Sequence, residues 1–267
     1  LKLFITIFFL VAVCNAQAQD SSFFRPAKTI EGEFVDFTVD NLGNYYLLSK
    51  DNQLKKLNNR GDSMGVFNDV RRYGKLYSID VTNPLKVLLY YKNFSTIVVL
   101  DRFLNIVNTL DLRKQNIFQV KAIAQSYDNN IWLYDEQNNK LKRIGEKGEV
   151  IFETVDLRII FDEVPSPTQI FDHDGFVYLY DPEKGFYVFD IYGSFKTKVS
   201  YKGLTDVAVI GKTILGIENK IIIAYTTGTL TERRLPLPAG LADYQKAIIQ
   251  PGRLYLLQNN SIRHFTF

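Results

Sequence analysis

The sequence predicts an all-β fold, a six-bladed β-propeller built from four-stranded antiparallel blades. Three observations predict it: a strand pattern returning about every forty residues, second strands apolar on both faces, and fourth strands that carry charge.

The clearest unit runs from Phe34 to Asn68. Phe34-Val35-Asp36-Phe37-Thr38-Val39 reads as a short strand, and Asp40-Asn41-Leu42-Gly43-Asn44 as the turn that ends it. Tyr45-Tyr46-Leu47-Leu48, Gln53 to Leu57 and Ser63 to Phe67 follow as strands joined by polar turns. Asn, Asp and Gly recur in those turns because they tolerate left-handed backbone and bond their own main chain.

The second strand is the best marker of the repeat. Its starts at Tyr45, Val87, Ile131, Phe176, Thr213 and Leu254 are spaced by 42, 44, 45, 37 and 41 residues. Val87 to Tyr90, Ile131 to Tyr134, Phe176 to Tyr180 and Leu254 to Leu257 are continuously apolar, as a strand is when neighbouring blades cover both its faces. Phe195 to Val199 and Leu230 to Leu235, read as fourth strands, carry the charges that discourage edge-to-edge pairing. The last unit, Lys246 to Phe267, holds only three strands. Ser22 to Ile30 belongs to no unit of its own and is expected to supply the missing outer strand, with Pro26 tolerable on an edge.

With 267 residues, 46% hydrophobic and 14% aromatic, the chain can bury a large core. Leu1 to Ala18 reads as an export leader, in which Lys2 is the one charge and Leu3 to Val13 is apolar apart from Thr6. Ala16-Gln17-Ala18 gives the small-x-small cleavage pattern, so the mature protein is expected to begin at Gln19 as a single domain, residues 19–267. The apolar run is too short to cross a bilayer as a helix, and no longer one follows it. The expected location is the periplasm, the cell envelope or the medium. Cys14 is the one cysteine and falls in the leader; Val11-Ala12-Val13 before it lacks the small residue of a lipidation site, so no lipid and no disulfide are expected. Removing the leader leaves 31 basic against 29 acidic residues, a balance that favours neither nucleic acid nor an anionic membrane as partner.

Three stretches carry a family resemblance. Asp40-Asn41-Leu42-Gly43-Asn44-Tyr45-Tyr46 with Gly61, Asp128 to Asp135 with Leu141, Ile144 and Gly148, and Asp172 to Asp181 with Val188 and Gly193 resemble the repeats of NHL-type six-bladed propellers. Units two, five and six keep the rhythm but few of the letters. The resemblance implies the fold and leaves the activity open, because one fold carries many functions.

Aligned first strands put a polar residue in one column of all six units: Asp36, Ser78, Lys121, Gln169, Asp206 and Lys246. The first strand is innermost in a propeller, so this column is expected to ring the mouth of the central channel. A wet channel is one reason for it, and ligand contact is the other. A second candidate is the segment Asn68 to Lys75, where Arg71, Arg72 and Tyr73 are residue types common at interface hot spots. Asp172-His173-Asp174-Gly175 reads as a turn, since it lacks the third oxygen ligand and downstream Glu of a calcium loop. His173 and His264 fall two units apart, which disfavours histidine-ligated zinc and a Ser-His-Asp triad.

Lactonase-like six-bladed propellers hold a divalent cation in the channel. Asp36, Gln169 and Asp206 could lend oxygens to one, but Lys121 and Lys246 would face the same centre and repel it. The reading is therefore a monomeric, non-enzymatic binding or scaffold protein without metal or cofactor, its partner a protein, peptide or small polar ligand. A metal-dependent hydrolase or lactonase and a glycan-binding module are the alternatives.

Overall fold

The computed structural model describes residues 23–267; the leader, the cleavage before Gln19 and Cys14 lie outside the described residues. The chain opens with β1 (Arg25–Ile30). Five complete blades follow. They are β2 (Phe34–Val39), β3 (Tyr45–Ser49), β4 (Leu54–Leu57) and β5 (Ser63–Phe67); β6 (Ser78–Asp80), β7 (Lys86–Tyr91), β8 (Thr96–Asp101) and β9 (Ile106–Asp111); then β10 (Val120–Gln125), β11 (Ile131–Asp135), β12 (Lys140–Ile144) and β13 (Val150–Glu153). The fourth is β14 (Gln169–His173), β15 (Phe176–Asp181), β16 (Gly185–Asp190) and β17 (Phe195–Val199), and the fifth β18 (Thr205–Ile210), β19 (Thr213–Glu218), β20 (Ile221–Thr226) and β21 (Thr231–Pro236). The sixth blade is β22 (Lys246–Gln250), β23 (Arg253–Gln258) and β24 (Ser261–Thr266), completed by β1 from the other end of the chain.

Each blade is antiparallel and ordered as the chain runs, so the fold is a six-bladed propeller. Closure comes from β1 against β24, with Arg25 opposite Thr266 and Ile30 opposite Ile262. The register shifts between Pro26 and Lys28, on an outer edge where the missing proline N–H breaks no ladder. Phe24, just before β1, is buried with Leu237, Leu254 and Phe265.

The core lies between blades, because successive side chains of a strand point to opposite faces. Val87, Leu89 and Tyr91 of β7 pack with Tyr46, Leu54 and Phe67 of the first blade, whereas Leu88 and Tyr90 pack with Val120, Ile131 and Leu133 of the third. This two-sided burial makes the second strands continuously apolar. Outer strands meet solvent instead, and in β17 the residues Phe195, Lys196, Thr197 and Lys198 are all exposed.

The turns repeat one piece of chemistry. Asp40 Oδ1 accepts from the backbone N–H of Leu42 and Asn44, Asp101 Oδ1 from Phe103 and Asn105, and Asp190 Oδ1 from Tyr192 and Ser194. Such turns need left-handed backbone near their end, supplied by Gly43 and Gly193 but in the second blade by Leu104, at φ 69°. Leu104 is buried in the core between the first two blades, beside Gly65, so side-chain burial offsets the backbone cost there.

Two local differences from the sequence reading stand out. Leu230 adopts φ 54° and belongs to the turn, moving the outer strand of the fifth blade to Thr231–Pro236. The Asn68 to Lys75 segment contains a single helical turn, α1 (Val70–Tyr73).

Candidate functional site

The six polar positions lie at the chain-entry end of the inner strands β2, β6, β10, β14, β18 and β22. Three of them form one cluster. Lys246 Nζ donates to Asp36 Oδ1 at 2.6 Å, tying the sixth blade to the first, and the same oxygen accepts from the Phe37 N–H at 2.7 Å. Asp206 Oδ1 accepts from the Ala247 N–H at 2.8 Å, tying the fifth blade to the sixth. Asp206 sits in a β-bulge between Thr205 and Ala208 at φ 52°, which turns its carboxylate toward the next blade. Burial pushes the Asp206 carboxyl above its ordinary range, opposed by the Ala247 N–H, Thr205 and the charge of Lys246. Tyr244, also bonded to Asp206, has its phenol pushed up to about 12, chiefly by burial.

Lys121 belongs to a separate arrangement. Its ammonium donates to Ser166 Oγ and lies 3.9 Å from Glu136. Gln169 is exposed opposite Tyr180, and Ser78 is half-buried opposite Tyr90. The six positions are thus polar and sum to zero formal charge, with Asp36, Asp206 and Lys246 together, Lys121 apart, and Ser78 and Gln169 in neither group.

The segment after the first blade divides between surface and core. Arg71, Arg72 and Lys75 are exposed. Tyr73 is only 5% exposed: its ring lies 5.2 Å from that of Tyr91, its hydroxyl 3.2 Å from Thr109 Oγ1, and the Arg72 guanidinium covers it at 5.1 Å. Tyr73 anchors the segment, and the arginines and Lys75 carry its surface. Asn52 fixes it from the first blade, donating to Gly74 O at 2.9 Å and accepting from the Leu76 N–H at 3.0 Å. Gly74 has φ 71°, which favours glycine there. Beside it a cleft of about 900 Å³ is lined by Val35, Leu48, Lys50, Asn52, Arg71 and Lys75.

At the opposite end of the inner strands the structure reveals contacts that sequence reasoning missed. Asp172 lies on β14, not in the turn, which is Asp174-Gly175 with φ 50° and 79°. Its Oδ2 accepts from the indole N–H of Trp132 at 2.7 Å, the Tyr127 N–H at 3.0 Å and Ser126 Oγ at 3.2 Å, joining the fourth blade to the third. Asp80 Oδ2 accepts from the Gln125 N–H at 2.7 Å, and Gln250 donates to Val39 O and Asp40 O. The one available signal is that the Asp172 and Asp80 pairs stand about one repeat apart, whereas Gln250 meets Val39 and Asp40 across the ring closure, 211 and 210 residues away.

The histidines do not meet. His173 ends β14, while His264 stacks on Tyr255 at 4.4 Å in the sixth blade, its Nε2 buried without a partner. Burial, then the charges of Arg253 and Lys28, pull the His264 pKa down. Among the described residues no group of three or more His, Cys, Asp or Glu side chains could hold a metal ion.

No protein-family model matches the chain, and no curated protein matches it in sequence. Solved structures do resemble it. Virginiamycin B lyase from Staphylococcus aureus is 12% identical at a TM-score of 0.62, over 90% of this chain and 99% of the lyase. The Pan2 WD40 domain of Neurospora crassa is 10% identical at a TM-score of 0.63, over 91% of this chain and 95% of that domain. PorZ of Porphyromonas gingivalis, a bacterial surface component of the type-IX secretion system, is 12% identical at a TM-score of 0.55, over 84% of this chain and 29% of PorZ. At such identities the likeness is one of fold, and proteins of different roles share it.

Proposed function

We propose that this propeller is a non-enzymatic binding module of the cell envelope, engaging a protein or peptide through the face that holds the channel mouth. The observation that carries the reading is the internal pairing at that mouth. Lys246 is held by Asp36 and Asp206 is held by the next blade's backbone, so these groups are engaged with one another and with the main chain instead of converging on a reacting atom or a dication. A neutral ring of donors and acceptors suits a dipolar group such as a peptide terminus or a polar side chain. The export leader read at Leu1 to Ala18 supports the envelope, and a resembling propeller, PorZ, is a bacterial surface component.

The hydrolase and lactonase alternative rests on fold likeness alone. A histidine-to-alanine form of the S. aureus lyase is catalytically inactive, whereas the two histidines here stand on different blades, one of them half-buried in a stack on Tyr255. The test is crosslinked capture from native envelopes, identification of the partner by mass spectrometry, and recapture with Lys121→Ala and Lys246→Ala. Weaker capture by variants that melt like the parent supports the reading. A stoichiometric divalent metal whose removal abolishes ester or lactone turnover overturns it.

A further inference from the structure

Three loops meet above the second blade: residues 68–77, the turn 91–95 after β7, and residues 111–119. They carry six cations, Arg71, Arg72, Lys75, Lys92, Arg113 and Lys114, against two carboxylates, Asp69 and Asp111. That excess of four exceeds the net charge of the whole chain, +3, so everything outside these loops is slightly acidic. One face of one blade holds the basic character of the protein.

The same loops expose three aromatic side chains, Tyr77 at 47%, Phe94 at 44% and Phe118 at 50%. They share one surface. Phe94 lies against Gly74, its ring edge 3.1 Å from where a Cβ would stand, which places it beside Tyr73 and Lys75. Lys92 sits 5.0 Å over the ring of Tyr77, which meets Tyr90 edge-on at 5.8 Å. Ser95 Oγ donates to Phe118 O at 3.1 Å, and the Leu112 N–H donates to Ser95 O at 2.9 Å, stitching the second loop to the third. Asn52 and the buried Tyr73 hold the first, so the surface is ordered before anything binds.

Arg113 is paired with Asp111 at 2.9 Å, but the loops keep four cations in excess of their carboxylates, and exposed aromatic rings among that excess fit a ligand that brings both apolar contact and negative charge. We infer that these loops dock an acidic peptide segment bearing interspersed apolar side chains, an inference that rests on the binding-module reading above and names its partner's chemistry. Arg71 and Arg72 offer planar forks to carboxylates. Phe94 and Phe118 take the apolar side chains and have no polar group with which to read sugar hydroxyls, which sets a peptide above an acidic glycan.

Fluorescence anisotropy tests this with the mature propeller and a labelled peptide of two Glu-Glu-Phe-Glu-Glu-Leu repeats. Polyglutamate, the same peptide with Lys for Glu, and polygalacturonate serve as comparisons. The peptide is expected to bind saturably, more tightly than all three, and less tightly as salt rises. Arg71→Glu with Lys75→Glu, and separately Phe94→Ser with Phe118→Ser, are each expected to weaken binding about tenfold or more. All four side chains are exposed; Lys92→Glu replaces either pair if that pair melts early. No saturable binding, equal binding of the lysine peptide, parent-like binding by the variants, or tighter binding of polygalacturonate each overturns the inference. If the captured native partner still depends on Lys121 and Lys246 while the acidic peptide fails, this inference falls alone. If capture is indifferent to every variant on this face, the binding-module reading falls with it.

Discussion

Removing the Asp172 carboxylate should loosen the joint between the third and fourth blades by an amount the structure specifies. Of its three donors, the Tyr127 N–H belongs to an exposed residue and can turn to water, and Ser126 Oγ can rotate to another partner. Trp132 cannot, because it is fully buried between the two blades and its N–H points at Asp172 from 2.7 Å. Asp172→Ala therefore leaves one buried donor unsatisfied and deletes one hydrogen bond to a charged acceptor, together about 2–3 kcal/mol. In a chain of this size that is a fall in Tm of about 5–10 °C. Asp172→Asn keeps an acceptor oxygen for the indole and should cost only about 1 kcal/mol. Urea unfolding followed by the fluorescence of Trp132, the one tryptophan, and in parallel by circular dichroism gives the parent and single-variant values. Repeating Asp172→Ala in a Trp132→Phe background, followed by circular dichroism, should shrink the cost by about 1–2 kcal/mol, since the donor is gone. A loss under about 0.5 kcal/mol in the parent background, or an unchanged loss beside Trp132→Phe, would refute the reasoning.

Three further outcomes are expected. Asp206 has a folded pKa above its unfolded one, so parent stability falls as pH rises through the window from the ordinary carboxyl range to that raised value; Asp206→Asn should gain over the parent at pH 7, lose that gain near pH 3.5, and be checked by urea midpoints at both. His264 is shifted the other way, so stability is full above its ordinary value of 6.5 and is lost as pH falls toward the lowered folded value; His264→Phe, which preserves the stack on Tyr255, should flatten the fall in Tm between pH 7.5 and 5. Deleting residues 19–30 strips β1 and Phe24 from the sixth blade and should cost several kcal/mol, and a truncated chain that melts with the parent would show that the closing strand contributes nothing.

Much of the fold is legible in the sequence, because its strongest signal and its largest energy are the same thing. The second strands had to be apolar on both faces to fill two inter-blade cores, and four of their six starts, Tyr45, Ile131, Phe176 and Thr213, fall on the first residue of the observed strand. The closing strand was legible by subtraction, from a last unit one strand short and an unclaimed segment at the start. Less visible was the role of single residues. Arg71, Arg72 and Tyr73 look alike as interface residues in sequence, but only the fold shows Tyr73 turned inward against Tyr91. Leu104 in a glycine-like turn position hides the repeat in the second unit, and its reason, burial beside Gly65, is a contact across blades.

The polar column shows why a repeat reveals positions more readily than roles. Six units place a polar residue at the same point of the inner strand, yet the neighbours that decide its use lie a repeat or a whole chain away. Asp206 meets the backbone of Ala247, 41 residues on, and Lys246 meets Asp36 across the closure, 210 residues back. Both contacts hold adjacent blades in register, so these side chains offer a ligand only the hydrogen-bonding capacity that the pairing leaves over. Residues with no such duty lie further out, on loops that each blade can alter without disturbing its neighbours, and there the second blade has gathered both an excess of cations and exposed aromatic rings. A ring whose inner polar groups also secure its own closure can add a second recognition surface at the rim, where changes in sequence cost the fold least.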